Sequence, residues 1–205
     1  MVKNKMIIGH LCAIVCQVFF GFSYFFTKKS TGAVSAFTLL SWRFLIAFIF
    51  FNICVLTHIV KVDFRGKSFL PLVQIALLQP VIYYIGETYG ISLTTTAESG
   101  IILACFPIAT LIFSTIILRE PPTKQQATGI GTAALGVIII ALIKGIEAKF
   151  SFLGYAMLIM GVITYSLCSV LCRKAAEFSS VEKTYVMTMF GAVAFTLMAL
   201  IENAL

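Results

Sequence analysis

Seven stretches of this chain are apolar for about the length of a bilayer crossing: roughly 6–27, 35–60, 69–91, 97–118, 124–143, 152–172 and 183–201. A helix needs about 20 mostly apolar residues to cross the hydrocarbon of a membrane. In lipid every backbone N–H and C=O must be satisfied within the structure, so only helices and closed barrels span it. The runs are continuously apolar rather than alternating over about ten residues, which argues against barrel strands. With 60% hydrophobic and 11% charged residues over 205 positions, and a mean hydropathy of +1.03, a soluble domain could not hide the apolar surface. The expected fold class is an all-α integral membrane protein, a helical bundle of about seven transmembrane helices with short charged hairpins.

Charge at the ends of the runs gives the orientation. The first run follows Lys3 and Lys5 and closes on Lys28 and Lys29. Its apolar length exceeds the core of a cleaved signal peptide, so it is expected to stay as the first helix. With the N-terminus in the cytoplasm, the inner side collects Lys3, Lys5, Lys61, Arg65, Lys67, Arg119, Lys124, Arg173, Lys174 and Lys183. The outer side collects Lys28, Lys29, Lys144 and Lys149. Ten against four favours that orientation. Seven crossings then leave Leu205 outside, in a multi-pass protein of the cell membrane. The net charge of +7 reflects topology and anionic lipid, not nucleic acid.

Few polar residues interrupt the runs, and each carries information. Gly21 and Ser23 would let another helix approach the first, and Gln17 would line a cavity or bond to a neighbouring helix. Arg43 lies about eight residues, roughly 12 Å, below the outer surface. An arginine at that depth costs ~2.5–3.5 kcal/mol on insertion scales, so it faces a cavity or a partner unless it snorkels to the headgroups. Trp42 beside it is either a cavity aromatic or an interfacial belt residue. Glu87 lies about four residues, roughly 6 Å, below the same surface. Arg43 and Glu87 would therefore pair, or jointly hold a polar substrate group, or form a purely structural ion pair. Tyr83 and Tyr84 are candidate cavity walls.

Helix punctuation surrounds these residues. Pro80 and Pro107 fall inside runs three and four, and each removes a backbone donor and kinks its helix. Gly86 and Gly90 form a GxxxG step. Thr95 and Glu98 have capping-box spacing, which competes with a cavity role for Glu98, and Thr123 and Gln126 repeat it in the fourth hairpin. Arg119 and Glu120 are adjacent and interfacial, and read as structural. Gly129 and Gly136 share a face of the fifth run that suits close packing.

No reaction chemistry is apparent. Cys12/Cys16 and Cys168/Cys172 are i, i+4 pairs too far apart for an intrahelical disulfide. No His, Asp or Glu completes a soft-metal site around either pair, so all six cysteines, with Cys54 and Cys105, read as small packing residues. His10 and His58 lie far from each other in the sequence, and no Walker-type GxxxxGK[ST] loop occurs. A membrane enzyme would need a nucleophile, base and orienting group. Neither enzymatic activity, a metal nor another cofactor is expected.

An internal repeat is suggested instead. At an offset of 145, Gly9 meets Gly154, Lys28-Lys29 meet Arg173-Lys174, and Ser35 meets Ser180. The offset contains five crossings, so the second copy is inverted in the membrane, a signature of secondary transporters. At these residues the chain resembles the EamA family of the drug/metabolite transporter superfamily. The first helix FFGFSYFFTKK, the Arg43-Phe44-x-x-Ala47 motif, and the stretch TTTAESGIILACFPIATLIFSTIILREPPTKQQATGIGTAALGVIII carry the likeness. Pro107 and Glu120 stand at the family's motif proline and glutamate, with Leu118-Arg119-Glu120 where Leu-Gly-Glu is usual.

The resemblance implies ten helices in two five-helix repeats. Residues 1–143 would then form a first repeat, and 152–205 the first two helices of an inverted second. It implies a secondary carrier exporting or exchanging a small metabolite, such as an amino acid or a drug-like cation or zwitterion, with efflux favoured by analogy. Protons are a candidate coupling ion through the Glu87 carboxyl. The competing expectation is a truncated, non-transporting membrane protein or a partner subunit of a full-length transporter, acting as a homo- or hetero-oligomer.

Overall fold

A computed structural model describes residues 2–64, 66–144 and 151–204, with side chains from residue 7 onward except 141–144. Among these residues the structure is helical and contains no strand. Seven helical passes follow the seven runs: α1 (Val2–Ser30), α2 (Ala36–Leu56), α3 (Leu70–Leu93), α4 (Thr96–Leu118), α5 (Lys124–Lys144), α6 (Phe152–Lys174) and α7 (Ser180–Ala204). Six of them, all but α5, are long and apolar enough to cross a membrane among the described residues. Hydropathy carries the second run to residue 60, but α2 ends at Leu56. Thr57 donates its N–H back to Ile53 and His58 turns left-handed at φ 59°.

The two prolines act differently. Around Pro80 the backbone widens into a π-helical segment, Leu77–Tyr83, inside α3. In a π turn residue i donates to i−5, so Val81 can serve the Ala76 carbonyl that Pro80 cannot reach. Around Pro107 the helix breaks outright: Thr96–Leu103 ends in a turn at Ala104 and Cys105, and Phe106–Leu118 starts afresh with Pro107 in its first turn. A proline there loses nothing, because the first N–H groups of a helix have no internal acceptor.

Glycine sets the crossing of α3 and α6. On α3, a Cβ at Gly86 would lie 2.7 Å from the Met157 carbonyl oxygen of α6, and one at Gly90 2.6 Å from Leu158 Cγ. The GxxxG step is thus the seat of α6. Elsewhere α2 lies along α7, with Leu40, Phe44, Ala192 and Phe195 buried between them. A second cluster of Leu72, Ile75, Cys168, Phe178 and Val186 joins α3, α6 and α7. Gly129 and Gly136 on α5 are open, with no heavy atom within 4 Å of a Cβ at either position, and Gly21 on α1 is open likewise. Among the described residues α5 touches α4 mainly at Thr96–Leu103.

Polar contacts knit the helix ends. Lys28 Nζ donates to the carbonyls of Ile91, Ser92 and Thr94 at 2.9, 2.8 and 2.6 Å, closing the C-terminal end of α3. Lysine there complements the exposed carbonyls and the helix dipole. Thr95 caps α4: its Oγ1 accepts from Glu98 N, and Glu98 returns the bond to Thr95 N at 2.8 Å. The other Glu98 oxygen accepts from the Tyr155 hydroxyl at 2.6 Å, which brings in α6. Thr123 and Gln126 make the same reciprocal pair ahead of α5. On the opposite face, Glu182 accepts from Lys67 Nζ at 2.8 Å, from Ser179 N at 2.8 Å and from Asp63 N at 3.1 Å. Ser179 and Glu182 are a third capping box, with the S-x-x-E spacing of the other two. Thr95→Ala should destabilise the bundle by about 1 kcal/mol, the usual worth of a cap, read as a lowered Tm in detergent.

Candidate functional site

A cavity of about 730 Å³ opens where α4 breaks. Its inner end is built by Gln17, Phe20 and Tyr24 of α1, Tyr83 of α3, Phe106 and Pro107 of α4, and Tyr165 of α6. Tyr83, Phe106 and Tyr165 lie near the midpoints of their helices. Their rings form one cluster, with centroids 4.5 Å apart for Phe106 and Tyr165, 5.3 Å for Tyr83 and Tyr165, and 6.0 Å for Tyr83 and Phe106. Thr110, Leu111 and Ser114 continue the wall along α4 to Gln126 of α5 and Arg173 of α6. Arg173 belongs to the last turn of α6, so the cavity runs from mid-bundle to the face that carries Arg119, Lys124 and Lys174.

A second cavity of about 480 Å³ lies on the other side of α3, between α2, α6 and α7. Phe44, Gln79, Pro80, Tyr84, Cys172, Lys183 and Thr188 are among its lining, and Arg173 is again part of the wall. Consecutive residues of α3 thus face different chambers, Tyr83 the first and Tyr84 the second. Their rings meet edge-on at 4.8 Å.

Arg43 and Glu87 flank this tyrosine pair but are not ion-paired with each other. Arg43 donates to Ser23 Oγ at 3.1 Å and to Thr27 Oγ1 at 3.3 Å on α1, and its guanidinium lies 5.4 Å from the centre of the Tyr84 ring. Glu87 is buried, 2% exposed, and accepts a hydrogen bond from the Tyr83 hydroxyl one helical turn away. The direct pair expected from equal depth is therefore replaced by a chain: Arg43 against Tyr84, Tyr84 against Tyr83, Tyr83 bonded to Glu87. Ser23, read as a site for close helix approach, is instead an acceptor for arginine.

Trp42 lies away from both cavities. It is 63% exposed because Leu40, Ser41 and Phe44 occupy the α7-facing side of α2 and leave Trp42 on the outer one. Its alternative reading, a belt residue, fits that position. Gln17 does line the cavity, and so do Pro107 and Gln126. Glu98 is engaged at the end of α4 through both oxygens and does not face either cavity.

Some residues of the site went unread in the sequence. Phe20, Tyr24, Phe106 and Tyr165 look like ordinary apolar-run aromatics, and only their convergence at the break distinguishes them. Arg173 was visible as half of a basic pair. Its place on two cavity walls depends on the fold. Glu120, at 2.8 Å, is the ion-pair partner of Arg173, so the adjacent Arg119–Glu120 dipeptide ties the fourth hairpin to α6. Cys168 and Cys172 have sulfurs 3.9 Å apart within the α3–α6–α7 cluster, and among the described residues no group of three or more His, Cys, Asp or Glu side chains is placed to hold a metal.

The EamA-like transporter family matches residues 7–142. The uncharacterized transporter YcxC of Bacillus subtilis (strain 168) is 29% identical over 205 residues, covering 99% of this chain and 66% of the relative. The uncharacterized transporter YyaM of the same organism is 26% identical over 196 residues, covering 91% of this chain and 63% of the relative. An uncharacterized transporter of Acidianus ambivalens, from the sor 3' region, is 30% identical over 107 residues, covering 52% of this chain and 42% of its own. The chain thus spans no more than two thirds of the length of these relatives. No solved structure matches it.

Proposed function

This chain belongs to the EamA-like transporter family, and on that premise we propose that it acts as a secondary carrier exporting or exchanging a small metabolite, such as an amino acid or drug-like compound. The observation that carries the reading is the 730 Å³ chamber, which joins mid-bundle aromatic rings to one polar face through a broken helix. Pockets of this size, largely apolar with a few placed polar groups, suit small organic ligands. Broken and π-widened helices are tolerated in membranes where they line a cavity, and they give a bundle places to bend.

In this reading Tyr83 and Tyr84 are the walls a substrate meets, while Arg43 and Glu87 set the charge behind them. Glu87 is the candidate proton carrier, since its carboxyl reaches the chamber through the Tyr83 hydroxyl. Residues 1–143 are taken as one repeat and 152–205 as the opening of an inverted second. Supporting that division, α1 and α6 both end in paired basic residues, and a serine caps the helix that follows each. It is Ser35 in the first case and, in the second, Ser179, one position before the Ser180 that the offset of 145 pairs with Ser35. A cytoplasmic N-terminus in the cell membrane is supported by Lys61, Lys67, Arg119, Lys124, Arg173, Lys174 and Lys183 sharing one face, against Lys28 and Lys29 on the other.

The test is flux from proteoliposomes loaded with a mixed pool of amino acids and small aromatic acids, read by mass spectrometry. The protein should deplete at least one compound. Ala104→Trp, which fills the chamber at the break, should reduce that flux by about tenfold or more without loss of folded protein. Should the protein deplete nothing beyond empty liposomes, the carrier reading fails and the non-transporting partner subunit takes its place.

A further inference from the structure

The walls of both chambers, among the described residues, include cations and no carboxylate. Among the described residues the charged side chains on their walls are Arg173, shared by the two, and Lys183 in the second. Glu87, the carboxylate nearest the aromatic cluster, is closed off behind Tyr83. Glu98 and Glu182 are spent on capping. A cationic substrate would leave water for a chamber whose own wall offers it no carboxylate, at the cost of its hydration. An anion would find a guanidinium.

That guanidinium already holds a carboxylate. Arg173 Nη1 lies 2.8 Å from Glu120 Oε2, and the two side chains are 65% and 50% exposed. Exposed ion pairs of this kind hold weakly and exchange readily. Arginine presents a planar fork that suits carboxylates, often through two parallel bonds. From Tyr165 to Arg173 is eight residues of α6, a rise of about 12 Å.

We propose that the substrates are amphipathic organic anions, each with an aromatic or apolar body lodged against Tyr83, Phe106 and Tyr165 and an acid group taken by Arg173 in exchange for Glu120. This rests on the carrier reading of the same chamber and narrows it, replacing a cationic substrate with an acidic one of about 12 Å reach. Glu120 is the resident stand-in for the substrate carboxylate, and Arg173, on the wall of both chambers, is the specificity-determining residue.

Three tritiated probes of matched length test it in nanodiscs of zwitterionic lipid, with empty discs subtracted: 6-phenylhexanoate, 6-phenylhexylamine and 6-phenylhexanol. The carboxylate should bind about tenfold more tightly than the amine, as a charge-assisted pair replaces an uncompensated charge. Arg173→Gln should weaken the carboxylate by about tenfold and the alcohol by less than about twofold, while Arg173→Lys keeps part of the preference. Glu120→Gln, which frees the guanidinium, should strengthen carboxylate binding by about threefold. Lys174→Gln, the neighbouring cation off the cavity wall, should change nothing. Equal or tighter binding of the amine overturns the proposal, as does an Arg173→Gln loss shared by the alcohol. If the alcohol binds and Ala104→Trp removes it while the carboxylate gains nothing, anion selectivity falls and the carrier reading stands. If none of the three binds, both fall.

Discussion

Gly86→Leu should leave no folded bundle in detergent. A Cβ at this position would already sit 2.7 Å from the Met157 carbonyl oxygen, 3.1 Å from Met160 Cε and 3.3 Å from Gly161 N. Two of those three atoms are backbone of α6 and cannot swing aside. Overpacking commonly costs ~1–3 kcal/mol, and where the obstacle is backbone the cost should reach about 3 kcal/mol or more. The interface at stake positions Tyr83, Glu87 and Tyr165 together, so stability and site should fail as one. Gly161→Ala is the contrasting case: its Cβ would meet Glu87 N, Tyr83 Cδ2 and the Tyr83 carbonyl oxygen at 3.7–3.8 Å, ordinary contact distance. Size-exclusion profiles and Tm values should separate the two substitutions. A Gly86→Leu protein that elutes and melts like the parent would show that α3 and α6 do not cross this way.

Removing the Tyr83 hydroxyl should have the next largest effect. Glu87 is buried and takes that hydroxyl as a hydrogen-bond donor. Tyr83→Phe keeps the ring cluster but leaves the carboxyl without its partner, and a buried unsatisfied group costs ~1–3 kcal/mol. Glu87→Gln, which preserves an acceptor, should cost much less. Combining Tyr83→Phe with Glu87→Leu should recover much of the loss, since replacing both partners by apolar groups removes the orphan. Melting temperatures of the single and double variants form a cycle whose coupling reports the bond. Simple additivity would mean that the two side chains do not depend on each other.

The helices were legible because a bilayer-length apolar run can do little but cross, and six of the runs became apolar helices within a few residues of their expected ends. Capping boxes at Thr95 and Thr123 were legible because they are local. The one at Ser179 has the same spacing and was open to the same reading. What sequence spacing could not supply was direction around the helix axis. A rise of 1.5 Å per residue places Arg43 and Glu87 at similar depth, but depth says nothing of azimuth. Arg43 turned toward α1, Glu87 toward its own Tyr83, and Trp42 away from the chambers. Arg173 and Glu120 lie 53 positions apart, and their meeting follows from how the fourth hairpin folds against the end of α6.

Tyr83 closes the π-widened segment of α3 and Tyr84 is the next residue, yet each belongs to a different chamber. Neither ring can be re-aimed by backbone motion without re-aiming the other. The chambers are therefore not independent compartments: a twist of α3 that admits a guest on one side reshapes the vacancy on the other. Saturation measured through one chamber should carry the imprint of the second, as competition between ligands that never touch.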